Sequence, residues 1–400
     1  MRILLGYTFD ERPDTYESWL ARLRAAGLPV EGFALRLPAG GPNLLWPELD
    51  ARWRRGDREL FEMYERLARR LEASDVFVNF NGVNLHPDFV RQLPSCNVFS
   101  CFDDPESSED LSRPAAAAYD LSLVGNAAEV ETYLSWGVGE ARFWPLGFRA
   151  DDYDPTLTRE RILTGEREVT ISLTCERVTP WRRERVDRFA RAFPEGAYYG
   201  RGWPAGFLPE PERVPLYQRT RIGINIHNST GPINFRTYIL PANGVMQVCD
   251  NKAHLGRVFE PGREAVGFDT VDEAIDLCRY YLAHDEERRA VAAAGFERAV
   301  RDYNEVAVFR LLVTHVEELQ ARRAAAAAAG RAPYEVRGAA AEAPLAYLTR
   351  RRKETALARA AHAAGRLAGR LTYAARYVWT AAGRRARAGV GALRRRAKTS

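Results

Sequence analysis

The sequence predicts an α/β protein of two similar lobes, each a parallel β-sheet covered by helices, followed by a basic helical extension. Short apolar runs alternate with segments of helical periodicity through the first 270 residues, which is typical of parallel sheets with helices on both faces. The alternation stops in the loop at 145–155 and then begins again. The chain of 400 residues is also too long for one ordinary hydrophobic core.

In the first lobe, six apolar runs predict strands, and the segments between them predict helices. The strands are expected at 2–6, 30–35, 76–80, 97–102, 121–124 and 141–144. The helices are expected at 13–26, 58–72, 86–93, 108–118 and 126–136. Proline and glycine are so frequent in residues 38–50 that we expect a surface loop there.

The second lobe repeats this pattern after a boundary near 147–165. Strands are expected at 168–173, 196–199, 222–227, 245–249 and 265–268, and helices at 181–192, 233–242, 271–283, 285–302 and 304–329. We therefore divide the chain into a first domain at 1–150, a second domain with its closing helix at 151–325, and a tail at 326–400. Ligands of such lobes bind where the parallel strands end, so the loops after strands are the candidate sites.

Charge is distributed unevenly along the chain. Residues 331–400 hold 17 basic and three acidic side chains, a net charge of +14, whereas the other 330 hold 41 basic and 50 acidic ones, a net charge of −9. A mildly acidic body argues against a nucleic-acid-binding fold. Apolar residues recur every seven positions in the tail from Leu357 to Val378. The tail is either an amphipathic helix for an anionic membrane surface or a solvated, disordered extension.

Cysteine usage and the N-terminus predict a cytoplasmic protein that contacts a membrane at most peripherally, through its tail. The five cysteines are odd in number and lack CxxC or Cys/His ligand spacing, so we expect reduced thiols and no structural zinc. The first residues are too short an apolar stretch for a secretory signal, and no run of about eighteen apolar residues occurs. Dinucleotide, P-loop, zincin and serine-hydrolase motifs do not occur either.

The strongest candidate site lies at 222–244 in the second lobe. An apolar strand ends in His227 and Asn228, a Ser-Thr-Gly-Pro turn follows, and a helix begins with Arg236 in its first turn. Backbone N–H groups at the start of a helix, with a guanidinium beside them, form an anion site that suits a diphosphate. The alternatives are a buried structural histidine and a surface ion-pair arginine.

In the first lobe, Asp103 and Asp104 directly follow a predicted strand. Adjacent carboxylates at a cleft suit a general base that removes a proton from an acceptor hydroxyl. The alternative is the start of a helix, with aspartate as the N-cap and Pro105 in the first turn. The two acids do not have DxD spacing, so we infer no metal. After the preceding strand, Asn81, Asn84 and His86 are candidates for contact with acceptor hydroxyls, although Asn and Gly also favour a simple turn.

Several of these segments resemble a known family. Residues 234–244, 259–264, 280–288 and 294–298 are similar to the carboxyl domain of the CgeB-like (spore-maturation) glycosyltransferases, as is the segment Tyr199-Gly-Arg-Gly-Trp203. Phe102-Asp-Asp-Pro105 is similar to a segment of their amino-terminal half. The resemblance implies a GT-B fold of two facing Rossmann-like domains. It also implies sugar transfer from a nucleotide donor held mainly by the second lobe, with no metal or other cofactor.

The same resemblance implies roles for particular residues. Those near the nucleotide base would be Tyr199, Gly200 and Trp203, and those near the diphosphate His227, Asn228, Thr230, Gly231 and Arg236. Relatives often carry an acid for the ribose where this chain has Ile239. An alkyl side chain cannot accept a hydroxyl proton, so ribose binding uses another group, the donor is unusual, or activity is lost.

These observations predict a glycosyltransferase that moves a sugar from a nucleoside diphosphate donor to a hydroxyl acceptor. Helix-end amides and Arg236 would stabilise the departing diphosphate, and Asp103 or Asp104 would act as the base if configuration inverts. The main alternative, which Ile239 keeps open, is a non-catalytic GT-B scaffold or sugar-binding partner protein. A third is an epimerase or phosphorylase of the same fold. A phosphorylase would be expected to use a lysine, and Lys252 is the only lysine of the second lobe.

Overall fold

A computed structural model describes residues 1–8, 13–37, 43–227, 234–250, 252–329 and 342–358, with the isolated positions 360, 361 and 364. Within these ranges the chain forms two α/β lobes, each around one parallel sheet. Asn228, Thr230 and Gly231 of the predicted diphosphate site lie outside the described residues. No helix in the described part of the chain is long and apolar enough to span a bilayer.

The first lobe contains a six-stranded sheet in the order β2-β1-β3-β4-β5-β6. All its neighbouring strands run parallel. The strands are β1 (Ile3–Tyr7), β2 (Val30–Ala34), β3 (Val76–Asn79), β4 (Cys96–Cys101), β5 (Leu121–Val124) and β6 (Ala141–Phe143). The helices are α1 (Pro13–Ala25), α2 (Trp46–Arg54), α3 (Arg58–Leu71), α4 (Pro87–Val90) and α5 (Val130–Ser135).

The second lobe contains a five-stranded parallel sheet in the order β11-β10-β9-β7-β8. Its strands are β7 (Val169–Arg177), β8 (Ala197–Arg201), β9 (Thr220–Asn225), β10 (Met246–Asp250) and β11 (Val266–Phe268). Its helices are α6 (Arg159–Thr164), α7 (Pro180–Ala192), α8 (Glu210–Arg219), α9 (Phe235–Ala242), α10 (Lys252–Leu255), α11 (Val271–Ala283), α12 (Asp285–Asp302) and α13 (Glu305–Ala328).

Helix α13 leaves the second lobe and packs on the first. Val308, Phe309 and Leu312 are buried in one cluster with Ile3 and Leu5 of β1. The Trp144 indole donates a hydrogen bond to the Val308 carbonyl at 2.8 Å. The buried Glu305 carboxylate accepts two hydrogen bonds from Arg22 of α1, at 2.6 and 3.0 Å. These contacts hold the two lobes together.

The beginning of the basic tail also packs on the first lobe, as helix α14 (344–358). Leu348 is fully buried in the first-lobe core, and the Tyr347 ring stacks 6.2 Å from the ring of Trp53 in α2. Arg352 forms an ion pair with Glu65 of α3 at 3.0 Å. Residues 344–358 therefore complete the first lobe, and most of the tail's predicted apolar repeat lies outside the described residues.

All eleven predicted strands are present, and the predicted two-lobe α/β class is confirmed. Three expectations were wrong. The loop predicted at 38–50 contains the start of α2, because Pro47 lies in the first helical turn, where proline is tolerated. The helix predicted at 108–118 is two short turns, at Ser108–Ser112 and Ala116–Ala118. Helix α8 was not predicted, since two prolines lie within it.

Candidate active site

Two arginines meet at the carboxyl end of β9. Arg182 in the first turn of α7 and Arg236 in the first turn of α9 both donate hydrogen bonds to the Ile226 carbonyl, at 2.9 and 3.1 Å. Arg182 also donates to the Arg177 carbonyl at 2.9 Å, and Arg236 to the Asn225 side-chain oxygen at 3.1 Å. Sharing one carbonyl oxygen places the two guanidinium groups side by side.

No described carboxylate lies at ion-pair distance from either guanidinium of this arginine pair, although the charge of Asp250 acts on Arg182. Arg182 is only 4% exposed, and its Nε has no hydrogen-bond partner among the described atoms. Burial, and next the positive charge of Arg236, lower the pKa of Arg182. A site that concentrates positive charge away from water in this way is suited to an anion.

His227 lies beside the arginine pair, where the chain leaves β9. Its ring Nδ1 is hydrogen-bonded to a carboxylate oxygen of Asp250 at the end of β10, and its backbone N–H donates to the other oxygen at 2.9 Å. The side chain is 3% exposed, and Nε2 has no partner in the described part of the chain. The aspartate therefore fixes the ring, while the opposite nitrogen has its hydrogen-bonding capacity unused.

A metal at this position deserves consideration because ligand atoms of His227, Cys249 and Asp250 lie within 4.8 Å of one another. In this structure Nδ1 of His227 is bonded to Asp250. Without a metal, burial, followed by the charge of Asp250, raises the pKa of the Cys249 thiol well above its ordinary range.

The segment predicted to contact the nucleotide base follows β8, the strand next to β7. The Gly200 N–H donates to the Gly206 carbonyl at 2.7 Å, which closes a loop after the strand. A Cβ at Gly200 would lie 2.7 Å from Cys175 Sγ, so a larger residue does not fit. The Arg183 guanidinium lies over the Trp203 ring, 4.8 Å from its centroid, and so covers one face of it. Tyr199, in the same strand, is half-buried.

The start of α9 differs in part from expectation. The helix begins at Phe235, and the side chain of Asn234 caps it by accepting from the Thr237 N–H at 3.1 Å. That amide is therefore not free for a phosphate. Ile239 lies further along the same helix, is 9% exposed and packs in the second-lobe core. Its side chain offers no hydrogen bond to a ribose hydroxyl.

In the first lobe, the two adjacent acids have different surroundings. Asp103 is exposed and accepts a hydrogen bond from the Asn81 side chain at 2.9 Å. Asp104 is 6% exposed and accepts from the Ser108 hydroxyl at 3.1 Å and from the buried Tyr133 hydroxyl. No helix starts directly after Pro105, so the N-cap alternative is wrong. Asp103 alone has a carboxylate open to a substrate.

Two of the three predicted acceptor contacts are instead structural. Asn84 is fully buried, donates to the Leu35 carbonyl at 2.7 Å and accepts from the Leu44 N–H at 2.7 Å. His86 is 4% exposed and stacks against the rings of two tryptophans from α2, Trp46 and Trp53. Neither side chain can reach an acceptor, and we exclude both from the site. Asn81 remains, because its side chain bonds Asp103 at the strand end.

A small aromatic cavity is lined by residues of both lobes and has a volume of about 30 Å³. Phe102 and Phe235, the sequence neighbours of Asp103 and Arg236, both line it, together with Trp19 and Trp144. Asp103 and the two arginines are not among the lining residues. The cavity thus brings together the chain segments next to Asp103 and next to Arg236.

Two residues of this site were missed from the sequence, Arg182 and Asp250. Arg182 had a usable signal, because Thr179 and Pro180 precede it as an N-cap and first-turn proline and give it the same first-turn position as Arg236. The signal for Asp250 was weaker, since it is only a polar residue at the end of an apolar strand. Neither signal shows that β7 and β10 flank β9, which is what brings the three side chains together.

Comparison with known proteins supports this reading of the fold. Residues 179–314 match the model of a family described as glycosyl transferase-like. This match covers the arginine pair, His227 and Asp250, but it does not identify the narrower CgeB-like group. No curated protein sequence matches the chain.

Solved structures with little sequence identity share the architecture. HepE from Anabaena, in complex with UDP-glucose, is 12% identical with a TM-score of 0.53, covering 80% of this chain and 100% of that one. Sucrose-phosphate synthase from Thermosynechococcus elongatus is 13% identical with a TM-score of 0.54, at the same coverage. A glycosyltransferase from Rickettsia africae is 12% identical with a TM-score of 0.53, covering 80% and 98%. The chain thus has the GT-B fold, and its second lobe is similar to the glycosyl transferase-like family.

Proposed function

We propose that this protein is a glycosyltransferase that moves a sugar from a nucleoside diphosphate donor to a hydroxyl acceptor. The observation that carries the proposal is the arginine pair at the end of β9, in which Arg182 is buried and Arg236 half-buried, with no described carboxylate at ion-pair distance. In folds of this type ligands bind at the ends of the parallel strands. Fixed guanidinium groups in a dry site stabilise the charge that develops on a departing diphosphate.

The order of the strands favours a particular orientation of the donor. Trp203 follows β8, Arg182 follows β7, and Arg236 and His227 follow β9. These three strands are neighbours in the sheet, so a nucleotide can stack its base on Trp203 and extend its diphosphate to the arginine pair. The sugar then lies towards the cleft, where Asp103 is the candidate base for the acceptor hydroxyl.

One observation favours the alternative of a non-catalytic sugar-nucleotide-binding protein. Ile239, which stands where relatives often have a ribose-binding acid, is buried among apolar side chains. A donor would therefore lose one hydrogen bond to its ribose, unless residues elsewhere in the chain supply it. A binding protein needs only the arginine pair and Trp203, whereas a transferase also needs Asp103.

The direct test is incubation of the purified full chain with a panel of nucleotide sugars, followed by measurement of free nucleoside diphosphate. A transferase slowly releases the diphosphate even with water as the acceptor, and release rises when a true acceptor is added. Thermal stabilisation by a nucleotide without release would support the binding protein. If no member of the panel stabilises the protein or releases a diphosphate, both functions are rejected.

We also propose that the tail attaches the protein to an anionic membrane surface. Helix α14 packs on the first lobe, and residues 365–400, which follow it in the sequence, contain ten Lys and Arg and no acid. Each basic residue near an anionic bilayer contributes about 1 kcal/mol of attraction. The bound protein would thus present its acceptor lobe to the membrane.

Vesicle co-sedimentation tests the membrane proposal. The full chain is compared with a chain that ends at residue 364, because ending it before α14 would also remove Leu348 from the first-lobe core. With vesicles containing phosphatidylglycerol, we expect the full chain to pellet at low salt and to be released at high salt, since such attraction is screened. Equal pelleting of the two chains would overturn the proposal.

A further inference from the structure

His227 has one ring nitrogen bonded and the other without a partner, although the whole side chain is buried. Asp250 accepts from the Nδ1 side and also from the His227 backbone N–H at 2.9 Å. With Nδ1–H donated to a carboxylate, the neutral ring presents a lone pair at Nε2. No described group bonds Nε2, and the side chain is 3% exposed.

The charged and titratable groups around His227 come from three elements. Asp250 and Cys249 belong to β10, Arg182 to α7 and Arg236 to α9. The thiol stays neutral, because burial and the Asp250 charge raise the pKa of Cys249. The pocket therefore contains two guanidinium groups and one carboxylate, an excess of positive charge that attracts an anion.

An anion bound at the arginine pair conflicts with a neutral His227. The oxygens of a fully ionised phosphate have lone pairs but no hydrogen, so they repel a bare Nε2. A proton on Nε2 replaces that repulsion with a charge-assisted hydrogen bond, and Asp250 stabilises the imidazolium from the other side. The proton comes from the solvent, and no covalent bond changes.

We propose that His227 takes up a proton at Nε2 when a nucleoside diphosphate binds beside Arg182 and Arg236, and that Asp250 is the positioning residue for this step. The inference rests on the proposed donor site. It adds that donor binding is linked to pH and that the departing diphosphate receives a hydrogen-bond donor that the unliganded protein lacks.

Isothermal titration of UDP into the full chain at about pH 8, in buffers of different ionisation enthalpy, measures protons taken up per nucleotide bound. We expect uptake of about 0.5–1 proton per UDP, with an affinity that weakens up to about tenfold per pH unit as the pH rises further. A phosphate group whose second pKa is about 6 is already ionised at pH 8, so it does not contribute to the measured proton uptake.

His227→Gln keeps an N–H donor but cannot titrate, so it should bind UDP without proton uptake. Asp250→Asn should bind UDP with reduced uptake. The matched control is His284→Gln, an exposed histidine at the end of α11, which should behave as the wild type. Thermal melting of each variant identifies any that fails to fold, and the wild-type titration tests the proposal without them.

The outcomes separate the two proposals. UDP binding by the wild type without proton uptake, or the same uptake by the His227→Gln variant, overturns the role of His227 and leaves the donor site intact. If uridine, guanosine and thymidine diphosphates all fail to bind the wild type, the proposed donor site itself is wrong.

Discussion

The two lobes both place polar side chains where their strands end, but they use them differently. In the first lobe, Asn84, His86 and Asp104 are buried and bonded to neighbours of the same lobe. In the second, Arg182 and His227 are equally buried, yet each has a polar atom with no described partner. Buried polar atoms are normally satisfied. The comparison teaches that burial at a strand end does not by itself separate a structural polar residue from a candidate ligand contact. Unused hydrogen-bonding capacity is a further criterion, and Asn79 Oδ1 at the end of β3 meets it too.

The largest expected effect is that of removing the half-buried guanidinium of the second lobe's arginine pair. Arg236→Ala should lower kcat about 10³-fold, because a fixed charge contact to the departing group is lost. The measurement is release of nucleoside diphosphate from whichever donor the panel identifies. Arg219→Ala is the control, since Arg219 pairs with Glu168 at the opposite, amino end of the sheet. Activity within twofold of wild type for Arg236→Ala would remove this residue from the site.

The next largest effect concerns Asp103, the exposed member of the two adjacent acids that follow β4. Asp103→Asn should lower the transfer rate about 10²-fold through loss of a general base, with nucleotide affinity unchanged. Asp110→Asn, a change at another exposed acid of the same lobe, should have no effect. If Asp103→Asn transfers sugar at the wild-type rate, the base lies elsewhere and the contrast between the two acids fails.

A third effect concerns stability, through the hydrogen bond from Tyr133 to the buried Asp104. Burial, and then the nearby Cys101 and Asp104, raise the pKa of Tyr133 far above its ordinary range, so its hydroxyl remains a donor to Asp104. Tyr133→Phe should lower the free energy of unfolding by about 1–3 kcal/mol, since a buried carboxylate loses a partner. Urea unfolding measures this. A large loss of turnover in a stable Tyr133→Phe protein would show that Asp104 is catalytic after all.

The smallest effect is a pH dependence of stability from the first lobe's buried histidine. Burial lowers the pKa of His86, so the unfolded chain binds the proton first as the pH falls below about 6.5. Stability should therefore decrease by about 1 kcal/mol between pH 7 and 5.5. His86→Gln should reduce this slope, though not abolish it, because burial also lowers the pKa of His315. If urea unfolding of His86→Gln shows the same change of stability with pH as the wild type, His86 is not the group responsible.

Much of the fold was predictable because parallel strands are buried on both faces. The run from Val76 to Val78 is apolar at every position, as expected of a strand buried on both faces. Helices α2 and α8 were missed for one reason, that proline was taken to exclude a helix. Pro47 and Pro211 lie in first turns, where the missing N–H costs nothing.

Less of the site was predictable, because its geometry depends on contacts between distant segments. The sequence suggested His227 and Arg236, which lie nine residues apart. It did not show that Arg182 would share the Ile226 carbonyl, which requires β7 to lie next to β9. Nor did it show that His86 would stack on Trp46 and Trp53, more than thirty residues earlier in the chain. Polarity at a strand end is visible in a sequence, whereas hydrogen-bond satisfaction is not.

The return of α13 and α14 to the first lobe has a consequence for synthesis of the chain. Val308, Phe309 and Leu312 fill part of the core beneath β1, and Leu348 fills another part beside α2 and α3. A chain emerges from the ribosome with its amino end first. The first lobe therefore lacks these side chains until residue 348 has emerged. The amino-terminal lobe is thus completed last, and its apolar surface stays open to chaperones throughout translation of the other lobe.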